Sequence, residues 1–223
     1  MAGSDRRVER EALVGSLERN GIRDRAVLDA MAWVPRERFV PEDLAADAYV
    51  DRALPIGEGQ TVSQPWVVAR MTELLEARPD HRVLEVGTGS GYQAAVLARI
   101  VRDVVSVERH APLAERASAL LRELGLDNVR VVTGDASAGH AAAAPYDRII
   151  VTAASPGIHG DLAAQLAPGG RIVAPVGTER MQELVVRHSD GREEHHGGVM
   201  FVPLLGRAGF RPNGGSERKG GAA

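Results

Sequence analysis

Glu85, Gly87, Gly89 and Gly91 fall at alternate positions of Val83-Leu84-Glu85-Val86-Gly87-Thr88-Gly89-Ser90-Gly91-Tyr92, where an apolar strand runs into a turn that opens a helix. Glycines there let the backbone fold sharply and approach a ligand with no Cβ in the way, and the helix start beyond offers unpaired N–H groups. The spacing is Glu-x-Gly-x-Gly-x-Gly and not the Gly-x-Gly-x-x-Gly that cradles a dinucleotide pyrophosphate. An acid at that strand end favours a cationic ligand, and S-adenosyl-L-methionine, with its sulfonium and α-ammonium charges, suits it better than NAD. Taken alone, the turn also reads as a tight strand-to-helix connection.

Further polar groups end the strands that follow. Val104-Val105-Ser106-Val107-Glu108 closes on an acid 17 residues past the last glycine, where a ribose-binding carboxylate is expected. Val129 to Val132 leads to Asp135, which is open between accepting a hydrogen bond from an adenine amino group and capping the next helix. Tyr146 to Thr152 leads into Ala153-Ala154-Ser155-Pro156. Each cluster sits at a strand's carboxyl end, where open α/β sheets bind ligands.

The chain has 223 residues, 44% of them hydrophobic, enough for one sizeable core. A net charge of -3 without a concentrated basic stretch disfavours a nucleic-acid partner. The polar start from Met1 to Glu11 and the lack of a long apolar run predict a cytoplasmic protein without a membrane anchor. There is no cysteine, which removes thiolate metal sites, cysteine nucleophiles and iron–sulfur clusters. The single lysine is Lys219, so no Schiff base or Gly-Lys phosphate loop is expected in the body of the chain.

Positioning elements follow from periodicity. Helices are predicted at roughly Arg6 to Arg19, at Arg25 to Trp33 behind the cap Asp24, and at Pro65 to Glu76. Between them, Val34 to Pro41 breaks helical period and Leu54 to Pro65 reads as an irregular loop. A fifth strand covers Gly169 to Gly177, and two more, near Glu183 to His188 and Gly198 to Leu205, form a hairpin through Asp190-Gly191. From Gly206 the composition predicts disorder. His195-His196 beside Glu193-Glu194 lacks ligand spacing and reads as a solvated pair, so no metal is expected; Asp127-Asn128 and Trp33 read as turn and core residues.

Gly57-Glu58-Gly59-Gln60-Thr61-Val62-Ser63-Gln64-Pro65, the glycine turn through Gln93, Val151-Thr152-Ala153-Ala154, Pro168-Gly169-Gly170, Phe201-Val202-Pro203-Leu204 and Val34-Pro35-Arg36-Glu37 together resemble the protein-L-isoaspartate O-methyltransferase family. The resemblance runs in order from about residue 8 to 206, and the Gln-Thr-x-Ser-Gln-Pro loop is its most specific part. It implies a doubly wound α/β fold of the class I S-adenosylmethionine-dependent methyltransferase type, with a mostly parallel seven-stranded sheet and N-terminal helices. The expected divisions are 1–80 for those helices and the active-site loop, 81–205 for the cofactor core and 206–223 for a tail. By resemblance the catalytic position is Ser63. Cofactor positions are Gln60, Thr61, Val62, Ser63, Glu85, Gly87, Thr88, Gly89, Gly91, Glu108, Arg109, Asp135 and Ala136; substrate positions are Thr61, Ser63, Ala153 and Pro156. Ala136 departs from the glycine many relatives carry.

The implied reaction methylates the free α-carboxylate of L-isoaspartyl residues in damaged proteins and peptides, by a chain expected to be monomeric. A carboxylate of pKa about 4 is already ionised at neutral pH and needs no general base. Ser63 would orient it; standing before Pro65, Ser63 equally reads as a plain helix cap. A dedicated precursor-peptide methyltransferase shares every feature named. A non-catalytic cofactor module and a nicotinamide dehydrogenase fit the acids, the loop and the glycine spacing less well. Thr152-Ala153-Ala154-Ser155 is a poor amine site.

Overall fold

The structure, a computed structural model, describes residues 6–211. Its centre is a seven-stranded sheet of β3 (Arg82–Val86), β4 (Asp103–Glu108), β5 (Val129–Thr133), β6 (Tyr146–Val151), β7 (Leu166–Gly177), β8 (Gln182–His188) and β9 (Glu193–Val199), in the order β5-β4-β3-β6-β7-β8-β9. Pairing from β5 across to β7 is parallel, β8 is antiparallel to β7, and β9 is antiparallel to β8. The order of the strands switches from one side of β3, where β4 and β5 lie, to the other, where β6 and β7 lie, which opens a crevice at the carboxyl end of β3.

Alternation along the strands divides the core in two. Leu84, Val86, Val105, Val107, Ile149, Val151, Ile172 and Ala174 face one layer. Val83, Val104, Ile150 and Val173 face the other, where they meet α1 (Arg7–Arg19), α2 (Arg25–Trp33), α3 (Pro65–Leu75) and α4 (Tyr92–Ala98). The helices before residue 80 therefore share a core with the sheet. Asp24 caps α2 as expected, accepting from Ala26 and Val27 N–H. On the far side of the turn, α5 (Ala111–Glu123) packs against β4 and β5. A single helical turn, α6 (Gly160–Ala163), precedes β7.

Four expectations are corrected. Leu54 to Pro65 is not wholly irregular: β1 (Leu54–Gly57) and β2 (Gln60–Val62) form an antiparallel hairpin, its register broken between Pro55 and Gly57. The partner of β8 is 193–199 and not 198–205, so His195 and His196 lie on the outer strand, with His195 Nδ1 2.8 Å from Glu183 Oε2 across the pair. Trp33 is 40% exposed and not a core residue; the Arg99 guanidinium lies over its ring at 4.2 Å. Residues 206–211 are ordered: Phe210 N–H donates to Leu204 O, Arg207 N–H to Asp135 Oδ2, and Ala208 N–H to Ser137 Oγ. Residues 1–5 and 212–223, with Lys219 and the rest of the expected tail, lie outside the described residues. Among the described residues no helix is long and apolar enough to cross a membrane.

The turn after β3 is tightly constrained. Gly87 has φ +99°, and a Cβ there would stand 2.6 Å from Thr152 Oγ1. Gly21 has a similar φ, +100°, with nothing within 4 Å of the same position. Gly21→Ala should cost about 1–2 kcal/mol of backbone strain. Gly87→Ala should cost that and the collision besides, so its unfolding midpoint should fall further below the parent's, as thermal denaturation of the two variants without ligand will show. Equal losses would mean that Thr152 yields freely.

Candidate active site

The crevice holds two lobes that meet at Gln60, Gly87, Glu108 and Ala153. Thr88, Gly89, Ser90, Tyr92 and Gln93 from the turn and α4 line the first lobe, facing Thr61, Val62 and Ser63 from β2 and the segment after it. Arg109, His110, Gly134, Ala136 and Pro203 to Leu205 line the second. Of the sequence-predicted positions, Gln60, Thr61, Val62, Ser63, Gly87, Thr88, Gly89, Glu108, Arg109, Ala136 and Ala153 line this cleft. Glu85, Gly91, Asp135 and Pro156 do not.

Glu108 is 5% exposed and faces both lobes. Its Oε2 accepts from Gly89 N–H at 2.8 Å and its Oε1 from His110 N–H at 2.9 Å. Each oxygen keeps acceptor capacity for a further donor, since an ionised carboxylate offers about four lone-pair sites. The same side chain thus shapes the glycine turn and presents acceptors to the cleft.

Glu85 stands differently. It is fully buried on β3, opposite Ser106 on β4, whose hydroxyl donates to Glu85 Oε2 and lies 2.5 Å from Thr88 Oγ1. Burial pushes its carboxyl up to about 8; the bond from Ser106 opposes the shift and the charge of Glu108 adds to it. Burial thus favours the neutral acid at Glu85, and of the two carboxyls it is Glu108 that lines the cleft. Glu85 Oε1 has no hydrogen-bond partner.

Asp135 is exposed beside the second lobe. Its Oδ1 accepts from Ser137 N–H and its Oδ2 from Arg207 N–H, both at 2.9 Å. Burial raises its pKa, but these backbone donors outweigh that and hold it below the usual carboxylate range. Asp135 anchors the segment following Pro203 to Leu205, which walls the lobe. Gly91, with φ +88°, starts α4 against Ala117, where a Cβ would approach to 3.1 Å. Pro156 is exposed and lines neither lobe.

Ser63 is not the cap of α3. Gln64 holds the cap position without a side-chain bond, and Asp51 supplies the acceptor instead: its Oδ1 takes Trp66 N–H at 2.8 Å and its Oδ2 takes Gln64 Nε2 at 3.0 Å. The Ser63 carbonyl accepts from Arg36 Nη2 at 2.8 Å. Arg36 is itself fully buried, donates Nε to Ala48 O at 2.8 Å, and stacks over Tyr92 at 4.6 Å from the ring centroid. Sequence reasoning missed Arg36 and Asp51 as positioning residues. Arg36 sits in a noted motif, but no local pattern ties either residue to Ser63 across 27 and 12 positions.

Thr61 and Ser63 also line a second, open groove of about 660 Å³ with Trp66, Met181, Met200 and Phe201. They therefore stand where the cleft meets the groove, the place at which two reactants entering from opposite sides would come together.

A family model described as protein-L-isoaspartate(D-aspartate) O-methyltransferase (PCMT) matches residues 8–209. A protein-L-isoaspartate O-methyltransferase of Methanoregula boonei is 54% identical over 193 residues, 85% of this chain and 89% of its own. That of Methanopyrus kandleri is 51% identical over 222 residues, 95% of this chain and 98% of its own. A solved structure named protein-L-isoaspartate O-methyltransferase matches with a TM-score of 0.79 at 30% identity, over 90% of this chain and 67% of that one. The match spans the helices, the sheet and the Ser63 segment alike, and the chain belongs to the protein-L-isoaspartate(D-aspartate) O-methyltransferase family.

Proposed function

We propose that this chain methylates the free α-carboxylate of L-isoaspartyl residues in damaged proteins and peptides, with Ser63 holding the acceptor at the mouth of the cleft. The observation that carries the reading is the position of Thr61 and Ser63, shared by the two-lobed cleft and the open groove. S-adenosylmethionine, the family's cofactor, supplies an electrophilic methyl group on a sulfonium. The cleft fits it: Gly87 leaves the floor clear where a Cβ would strike Thr152, and Glu108 offers buried acceptors to a ribose. Gln60, Val62, Thr88 and Gly89 would enclose the first lobe; Arg109 and Ala136 would border adenine in the second. Gly91 would act by starting α4, and Asp135 by fixing the wall and not by direct contact.

The acceptor carboxylate is ionised at neutral pH, so the residues around it need only orient it and exclude water. No histidine lines the first lobe or the groove among the described residues. The Ser63 hydroxyl and the neighbouring backbone would hold one carboxylate oxygen in line. Ala153 would floor the acceptor, while Pro156 lines neither lobe and would act on substrate only beyond them. A charged cofactor that does not cross a bilayer unaided favours the cytoplasm.

Ser63→Ala should lower the turnover of an isoaspartyl peptide roughly ten- to a hundredfold, because it misplaces a reacting atom. S-adenosylhomocysteine affinity and the unfolding midpoint should hold, since Asp51 and not Ser63 caps α3. Normal turnover of isoaspartyl over aspartyl peptide in that variant would remove Ser63 from the reaction. Glu108→Ala should weaken S-adenosylhomocysteine binding by about 1.5–3 kcal/mol in calorimetry. Unchanged affinity would exclude it as a ribose acceptor.

Glu85 predicts a pH dependence of stability. Its carboxyl has an ordinary value of 4.5 unfolded and about 8 folded, so its contribution is complete below pH 4.5 and is lost as pH rises through 8. Between pH 5 and pH 9 the unliganded parent should therefore lose more of its unfolding midpoint than Glu85→Gln does. Parallel pH profiles would mean that Glu85 is ionised throughout.

A further inference from the structure

We propose that Met181 and Met200 form an adaptable apolar clamp for the side chains that flank the isoaspartyl residue of the substrate polypeptide; this rests on the function proposed above. The groove beside Ser63 has a volume of about 660 Å³, far more than a carboxylate occupies and within the range of sites that enclose sizeable ligands. It is continuous with the cleft through Thr61 and Ser63. A polypeptide whose carboxylate reaches Ser63 from the side opposite the cofactor must lead its chain away through this groove.

The lining selects the chemistry. Met181 is 75% exposed and Met200 83% exposed, and they stand with Trp66, Val67, Val199 and Phe201 around the groove. Two thioether side chains so exposed contribute little to the core, and methionine's three rotatable bonds and polarisable sulfur let it mould to irregular apolar partners. Their backbones, by contrast, are fixed. Gln182, 2% exposed, accepts Phe201 N–H on Oε1 at 2.8 Å and donates Nε2 to Thr178 O at 2.5 Å. Thr178 N–H donates to Met181 O at 3.0 Å, and Gly177 leaves that carbonyl room, since a Cβ there would lie 2.4 Å from it. One buried amide thus ties the β7–β8 turn to the end of β9 and sets the two methionines on a firm base. Such a clamp admits many apolar sequences without demanding one.

The test is steady-state methylation of isoaspartyl peptides of equal length, with leucine and phenylalanine or with glycine and serine at the flanking positions. The double variant Met181→Gln/Met200→Gln should raise KM for the apolar-flanked peptide about fivefold or more. It should leave kcat, S-adenosylhomocysteine affinity, the unfolding midpoint and KM for the glycine/serine peptide within twofold. Met181→Leu/Met200→Leu should keep KM for the apolar-flanked peptide near the parent's. Peptide binding in the presence of S-adenosylhomocysteine, followed by fluorescence anisotropy, should show the same discrimination without turnover. An active double variant with unchanged KM for the apolar-flanked peptide overturns the clamp and leaves the methyltransferase reading intact. So does a variant whose only change is the loss of self-association, which would make the groove a contact between copies of this chain. A parent protein that methylates neither isoaspartyl peptide overturns both.

Discussion

The placement of Ser63 relative to the glycine turn depends on one buried guanidinium. Arg36 grips the Ser63 carbonyl with one nitrogen and the Ala48 carbonyl with another, while its plane lies over Tyr92, the first residue of α4. The Ser63 segment and the start of α4 are thus joined through one rigid fork, in addition to the local bonds each makes. Burial disfavours the charge and pushes the pKa of Arg36 down, with Tyr92 and Asp51 opposing the shift. Arginine suits this position because its planar donors meet several carbonyls at fixed angles; a lysine would offer one mobile point charge. Asp51 completes the support by taking Gln64 and Trp66 at the start of α3.

The two strand-end acids lie on one face of the sheet, and their depth along the strands divides their roles. Glu85 and Ser106 are register partners in the middle of the sheet and share a dry layer, whereas Glu108, paired with Thr133 of β5, lies one residue past the last β3–β4 pair and faces the crevice. The same residue type is therefore pushed toward the neutral acid in one place and held as an anchored acceptor in the other. A charge at both would place two desolvated anions near one another, and burial settles which of them gives way.

Elements with strong local signals were legible in the sequence. The apolar strands around Leu84 and Val105, the Asp24 cap and the glycine turn each carry their cause within a few residues. What was missed depends on partners far along the chain. The β1–β2 hairpin hides behind Pro55, Gly57 and Gly59, residues that signal a loop, although Leu54 and Val62 pair across it. The outer strand β9 reads Glu-Glu-His-His-Gly-Gly-Val, with no apolar alternation to announce it, and takes its register from β8. Order beyond Gly206 comes from Asp135 and Ser137, about 70 residues earlier, against a composition that suggests none. Asp135 shows the same limit from the other side: its strand-end position was readable, but not that two backbone N–H groups would claim its oxygens.

A reaction that needs no base puts the whole demand on position, and the structure meets it unevenly. Around the proposed meeting point of the reactants the supports are buried and directional: Arg36 on the Ser63 carbonyl, Asp51 on α3, and Glu108 on the Gly89 amide. Away from them, toward the groove, the lining turns to exposed thioethers on a fixed backbone. Damaged residues occur in no set sequence, so a rigid groove would bind some substrates well and refuse many. Rigidity confined to the carboxylate and compliance everywhere else lets one geometry serve them, because effective molarity depends on holding the attacking oxygen and the methyl carbon and not on holding the neighbours. The penalty falls on affinity, as a compliant surface must lose side-chain freedom each time it binds. Where the acceptor residue is flanked by differing sequences, breadth of recognition outweighs tightness toward any one of them.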